Sequence, residues 1–320
     1  MFVIFCLTLK NCLNWLEKYY LTLKNCFLFF IMKAHTLPPR VKIFQTDTSL
    51  NYNTIMGVNP KTKKNKLPTN ILHLSPSNTS GINVCKFAHN CKKICLHFSG
   101  NPAYFSSKFK ARINRTLSFN RDNERFIDLL ILNISRNFYK NKSNRIGVRL
   151  NGTSDILWEQ KKAFISIAMS DFIYRKFSIY LNSGEYQNIF DVFIQNKIDI
   201  QFYDYTKHIV NRNIKELTEK FLYDITFSFD GFSNLLNVKH CNQALDLGLN
   251  VAAAFNRKKT ENLPEKIYIP EFKRTLKVID GDLSDERFND PKGDHLVGLR
   301  FKQPRGSKIS SEDVKNFCIA

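Results

Sequence analysis

IDIQFYDYTKHIVNRNIKELTEKFLYDITFSF, residues 198–229, holds the fold in miniature. IDIQFYDY at 198–205 has the length of a strand and is rich in β-branched and aromatic residues. NIKELTEKFL at 213–222 places apolar residues at helical spacing, and YDITFSF at 223–229 is a second strand. Strand, helix and strand in this order form a βαβ unit, which builds a parallel sheet.

The alternation continues in both directions. ILHL at 71–74, IGVRL at 146–150, LNVAAAF at 249–255 and LKVIDGD at 276–282 are further strand-like runs. RFIDLLILNISRNFYK at 125–140, DVFIQNK at 191–197 and NLLNVKHCNQALDLG at 234–248 are helix-like, the last stopping on Gly248. The pattern predicts an α/β fold, a partial (β/α) barrel of about six parallel strands, with a doubly wound sheet as the alternative. No G-x-G-x-x-G follows the first strand, which weighs against a dinucleotide-binding version. Polar residues gather where the strands end. They are Ser75 and Asn78, then Asn151, Thr153, Ser154 and Asp155, then Asp204 to Lys207, Ser228 and Asp230, Asn256 and Arg257, and Asp280 and Asp282. That rim favours the barrel, because β/α barrels carry their chemistry at the carboxyl ends of the strands.

The reading divides the chain into four parts: a hydrophobic extension at 1–34, a basic extended arm at 35–70 containing KTKKNK, an α/β domain at 71–302 and a tail at 303–320. Residues 1–31 contain a perfect repeat, LTLKNC at 7–12 and 21–26, and charges at Lys10, Glu17, Lys18 and Lys24 interrupt their apolar run. No uninterrupted stretch reaches the roughly 18–20 residues needed to cross a bilayer. The expectation is a cytoplasmic protein without stable membrane insertion, with translation starting at Met32 or a dispensable arm; an amphipathic surface helix is the alternative. The composition, 43% hydrophobic and 24% charged, excludes a disordered chain. The net charge of +20 points to phosphate-rich partners, nucleic acid first. The competing explanation is an AT-rich coding bias that inflates Lys and Asn.

Three of the eight cysteines lie together in NVCKFAHNCKKICLHFSGN at 83–101. Cys85, Cys91 and Cys95 have the spacing C-x5-C-x3-C, directly after the first strand. Three soft thiolates with an open fourth position suit an iron–sulfur cluster. Zinc is the alternative, with His89 or His97 as a fourth ligand, though no second ligand pair follows at finger or ribbon spacing. The bland alternative is that the three are small buried hydrophobes. Lys86, Lys92 and Lys93 would favour thiolates.

Other strand-end residues complete the candidate site. RLNGTSD at 149–155 offers Asp155 as a base, Arg149 as an anion holder and Asn151 as a cofactor contact; the alternative is turn and cap chemistry. FYDYTK at 202–207 offers Asp204 as an acid and Lys207 for phosphate or carboxylate. Ser228, Asp280 and Asp282 are further cofactor-contact candidates, with turn chemistry as the alternative for the last two. Lys108, Lys110, Arg112, Arg115 and Arg121 form the sharpest basic patch and the candidate nucleic-acid surface.

A first strand, a cysteine loop, a helix and a partial barrel resemble the radical S-adenosylmethionine superfamily. That resemblance implies a four-iron cluster on Cys85, Cys91 and Cys95 with S-adenosylmethionine at the open iron. The family spacing is C-x3-C-x2-C, an aromatic residue precedes its last cysteine where this chain has Ile94, and no Gly-Gly-Glu equivalent follows the second strand. A closer resemblance, to the phage and prophage gene product 88 proteins, rests on LSPSNTSGINVC at 74–85, CKKICLHFSG at 91–100, ARINRTLSF at 111–119, VRLNGTSDILWE at 148–159, FYDYTK, and VIDGDLSDERFNDPKGDHLVGLRFK at 278–302. It implies a phage-type protein and no particular activity. The leading expectation is an iron–sulfur enzyme acting on a nucleic acid or nucleotide; the alternative is a non-catalytic nucleic-acid-binding protein with structural zinc.

Overall fold

The parallel strands form where β-branched and aromatic runs are bounded by polar turns. The computed structural model of the chain describes residues 50–59, 61–77, 79–98, 106–141, 144–303 and 309–319. β1 (Thr69–Ile71) is followed by the cysteine loop, then by α1 (Ser106–Arg121) and α2 (Asn123–Lys140). β2 (Ile146–Arg149), β3 (Ala163–Ile165), α3 (Ile167–Phe177), β4 (Gly184–Tyr186) and α4 (Ile189–Gln195) come next. The quoted unit folds as β5 (Ile200–Thr206), α5 (Ile214–Glu219) and β6 (Tyr223–Ser228). α6 (Leu235–Asp246), β7 (Val251–Phe255), β8 (Lys266–Ile269), β9 (Arg274–Asp280), β10 (His295–Arg300) and α7 (Ser311–Phe317) complete the order.

Eight strands form one sheet in the order β1-β2-β5-β6-β7-β10-β9-β8. Every neighbouring pair is parallel except β8 with β9. The expected α/β class and parallel sheet are therefore present. The sheet does not close among the described residues: β1 and β8 are its edges, so a barrel is not formed by the ladder. β3 and β4 pair separately as an antiparallel ribbon.

Burial of the helix faces holds the layers together. α2 starts on an Asp122 cap, whose side chain accepts from Arg125 N–H, and buries Phe126, Leu129 and Leu130. Phe190 of α4 packs against Phe202 of β5 at 4.8 Å and stacks on Tyr223 of β6 at 4.4 Å. Burying such side chains contributes roughly 1.5–3 kcal/mol each. α6 ends before Gly248, whose φ of +76° is a conformation that suits glycine.

Two expectations change at the ends of the domain. Leu50, Tyr52, Ile55 and Met56 belong to the core cluster, so the chain from residue 50 packs on the body and is not an extended arm. At the other end Ile319 pairs with Phe255, tying the tail to β7. The repeat, the start at Met32 and the alternative surface helix fall on residues 1–49, outside the described residues. Among the described residues no helix is long and apolar enough to cross a membrane.

The parallel order sets the carboxyl ends of β1, β2, β5 and β6 side by side. The segments that follow these four strands build the site.

Candidate functional site

The cysteine loop is held from below by Asp230, two residues beyond β6. Its Oδ2 accepts the His89 N–H at 2.6 Å and its Oδ1 accepts the Cys91 N–H at 2.7 Å. The Asn90 amide donates to the Asp230 carbonyl at 2.6 Å and to Ser233 Oγ at 2.9 Å. Asp230 is itself fixed by α6: its N–H donates to Asn237 Oδ1 at 2.7 Å, and Asn234 Nδ2 donates to its carboxylate at 3.1 Å. Gly231, at φ +93°, lets α7 close over this corner, because a Cβ there would lie 1.9 Å from the Asn316 carbonyl oxygen. The other end of the loop is tied to the segment after β2. Asp155 N–H donates to the Val84 carbonyl at 2.8 Å, and the Cys85 thiol donates to the Thr153 carbonyl at 3.6 Å.

Cys85, Cys91 and Cys95 line one cavity of about 250 Å³, together with Ser77, Ala88 and Phe98. All three are free thiols. Cys91 lies in a short 3-10 turn, Asn90–Lys92, and Cys95 follows just beyond it. The Cys95 thiol donates to Cys91, and with the Lys207 ammonium it brings Cys91 down to about 7 against the cost of burial. The same donated bond and burial push Cys95 well up, and burial pushes Cys85 up to about 11.

Lys207 is the buried cation of the site, 9% exposed. Its Nζ donates to Ser228 Oγ at 2.5 Å, and its backbone N–H donates to Asp155 Oδ2 at 2.9 Å. Burial opposes its charge, but Cys91, Asp230 and Asp155 outweigh burial and raise its pKa above the ordinary lysine value. The other oxygen of Asp155 accepts from Thr206 Oγ1 at 2.7 Å. Asp155, Lys207 and Ser228 thus lie together beside the cysteine loop.

Other expected site residues are spent elsewhere. Asn151 Oδ1 accepts from Ser154, Ile156 and Trp158, so this residue builds its own turn and is not a cofactor contact. Asp204 is 1% exposed and accepts from the Leu150 and Asn151 N–H groups and the Tyr223 hydroxyl. Burial raises it to about 7, and it joins β5 to β2 and β6 inside the core, away from the cavity wall. Arg149 lies over the Tyr205 ring and faces Asp285 at 3.5 Å and Asp204 at 3.8 Å. Asp280 and Asp282 sit near the far edge of the sheet, where Arg300 pairs with both and Lys302 with Asp282. The basic patch splits as well. Lys108, Lys110 and Arg121 are exposed, whereas Arg112, at 6% exposure, is buried on the inner face of α1 with Thr116 and Phe119. Residues at i, i+4 and i+7 share one helix face, and that face is the inner one.

Among the described residues no group of three or more His, Cys, Asp or Glu is arranged to hold one metal ion. A closed zinc site needs a fourth ligand beside the three cysteines that line the cavity. Of the two candidate histidines, His97 cannot complete such a site, whereas His89, with its Nδ1 proton towards Asn90, has its lone pair on Nε2. His89 Nδ1 contacts Asn90 Oδ1 at 3.3 Å. His97 Nδ1 lies 2.7 Å from Arg112 Nη1, and arginine can only donate, so the ring proton belongs on Nε2, which then has no lone pair for a metal.

Asp230 is the residue that strand-end reasoning passed over: it stands in the polar rim, but nothing in its neighbours signals that it grips the cysteine loop.

Fold and site together define a mixed α/β protein with a mostly parallel sheet and a three-cysteine cavity at the sheet's carboxyl edge. The gene product 88 family model matches residues 48–320, and the chain belongs to that family. No curated protein matches the chain. No solved structure matches it either.

Proposed function

We propose that the protein is an iron–sulfur enzyme of phage type, with a cluster held by Cys85, Cys91 and Cys95. The observation that carries this reading is that three free cysteines, from one loop after the first strand, line a single cavity. Three thiols at one cavity supply the soft donor set of a cluster, whose ligands bind separate irons and leave one iron open. The near-sequential strand order β1-β2-β5-β6-β7 supports the partial-barrel comparison with radical S-adenosylmethionine enzymes. When bound, a cluster on three thiolates supplies one iron with an open position for a ligand, S-adenosylmethionine being the one the resemblance nominates.

The chain's own residues have distinct roles in this reading. Asp230 positions the Cys91 backbone, Lys207 favours the Cys91 thiolate, and Asp155 orients Lys207. Exposed Lys108, Lys110 and Arg121, with the net charge of +20, support a nucleic acid or nucleotide as substrate. Anaerobic isolation and reconstitution of the full chain tests the reading. The expected result is a brown protein with about three or four irons per chain, as for one cubane. Cys91→Ala should lose that iron while keeping its far-ultraviolet circular dichroism. A colourless wild-type protein of normal stability, free of iron after reconstitution, would sink the proposal.

A further inference from the structure

Behind Cys95 lies a pair of arginines with no acid beside it among the described residues. Arg112 is 6% exposed and donates to His97 Nδ1 at 2.7 Å. Arg115, one turn along α1, donates to the carbonyls of Thr54 at 3.0 Å and His73 at 3.4 Å. Neither arginine forms an ion pair with any described carboxylate; Arg112 is linked to the trio through His97, whose backbone N–H donates to Cys95 Sγ at 3.5 Å. The contrast with the rest of the interior is sharp. Arg149, Arg212 and Arg287 each face an Asp or Glu within 4 Å. Buried arginines are ordinarily paired, because the desolvation of a lone cation is costly. His97, 1% exposed, adds a further unmet demand: its Nε2 has no hydrogen-bond partner, and by the tautomer above it is a donor.

The charges around the cavity can be counted. Asp155 and Asp230 contribute two negative charges, and Lys207, the cavity-lining Lys92, Arg112 and Arg115 contribute four positive ones, which leaves two positive charges unmatched among the described residues. A cubane on three thiolates carries one net negative charge when oxidised and two when reduced.

We infer that Arg112, backed by Arg115, is the counter-charge for an anionic centre on the Cys95 side of the cavity, and so a positioning residue that sets the potential of that centre. This rests on the iron–sulfur reading and goes further, because it assigns a role to side chains that do not line the cavity wall. Reduction adds negative charge next to Arg112, so the guanidinium stabilises the reduced form more than the oxidised one.

The test is a redox titration of reconstituted wild-type, Arg112→Met and Arg112→Lys proteins, with iron content measured on each. Arg112→Met is expected to load iron and to show a lower midpoint potential, whereas Arg112→Lys stays close to wild type. If Arg112→Met does not fold, Arg115→Met serves, with a smaller shift in the same direction. An iron-loaded Arg112→Met or Arg115→Met protein with an unchanged potential overturns the inference and leaves the cluster reading standing. A wild-type protein that takes up no iron overturns both.

Discussion

Replacing Asp230 by alanine should loosen the cysteine loop more than any other single change to a non-cysteine residue. The substitution leaves two partly buried backbone donors, the N–H groups of His89 and Cys91, without acceptors that now lie at 2.6 and 2.7 Å. Hydrogen bonds to a charged group contribute about 1.5–3 kcal/mol each, so the two together are worth about 3–6 kcal/mol. Relief from burying the carboxylate offsets roughly 1–3 kcal/mol of this. The net loss is about 3 kcal/mol, which for a large domain lowers Tm by about 6–12 °C. Urea unfolding of the metal-free protein, followed by far-ultraviolet circular dichroism, reads the loss directly. Asp246→Ala is the control, because its carboxylate is largely exposed beside Arg274 and such surface pairs contribute about 1 kcal/mol or less. A loss below about 1 kcal/mol for Asp230→Ala, or equal losses for the two variants, would refute the assignment of Asp230 as the anchor of the loop.

Three further outcomes follow from the same geometry. Lys207→Met removes the cation that favours the Cys91 thiolate and leaves Asp155 and Asp230 without their buried counter-charge, so Cys91 alkylation should need a higher pH and stability should fall by about 3–5 kcal/mol; an unchanged alkylation profile counts against the contact. Asp204, raised from 3.8 to about 7 by burial, is protonated more readily in the folded state than in the unfolded chain. Its contribution is therefore full below about pH 4 and is lost as pH rises towards about 7, and Asp204→Asn should flatten the stability profile across that window. Gly231→Ala should cost more than about 1 kcal/mol, because alanine at φ +93° also meets the Asn316 carbonyl; limited proteolysis that releases the α7 segment in this variant, and spares it in wild type, checks the cause.

The strands between apolar helices were legible in the sequence because their burial leaves runs of β-branched and aromatic residues, as in β5 and β6. β3 and β4, three residues each, are too short to leave a period, and Phe164 between two buried neighbours points outward. β10 lies in DPKGDHLVGLRFK, where charged flanks mask four apolar or glycine positions. α1 is hard to read for another reason: its inner face carries Arg112, Thr116 and Ser118, so no apolar stripe marks it. The same substitution of polar for apolar residues explains why Arg112 reads as surface from sequence and lies in the interior.

The site was legible where the residue type itself carries the chemistry. Clustered cysteines announce themselves, and Asp155, Lys207 and Ser228 follow from the rule about strand ends. Asn151 failed because an Asn-Gly turn uses the side chain to bond its own backbone, which is the alternative that prevails here. Asp230 and Arg112 could not be singled out, since their roles depend on segments more than a hundred residues away in one case and on the orientation of a helix in the other.

Iron and acid-labile sulfide, counted per chain on anaerobically reconstituted wild-type and Cys91→Ala proteins, test the central claim most directly. The account expects about three or four irons with matching sulfide in the wild type, and their loss in a variant that stays folded. Wild-type protein that binds zinc with no iron or sulfide, or that binds no metal at all, would contradict it.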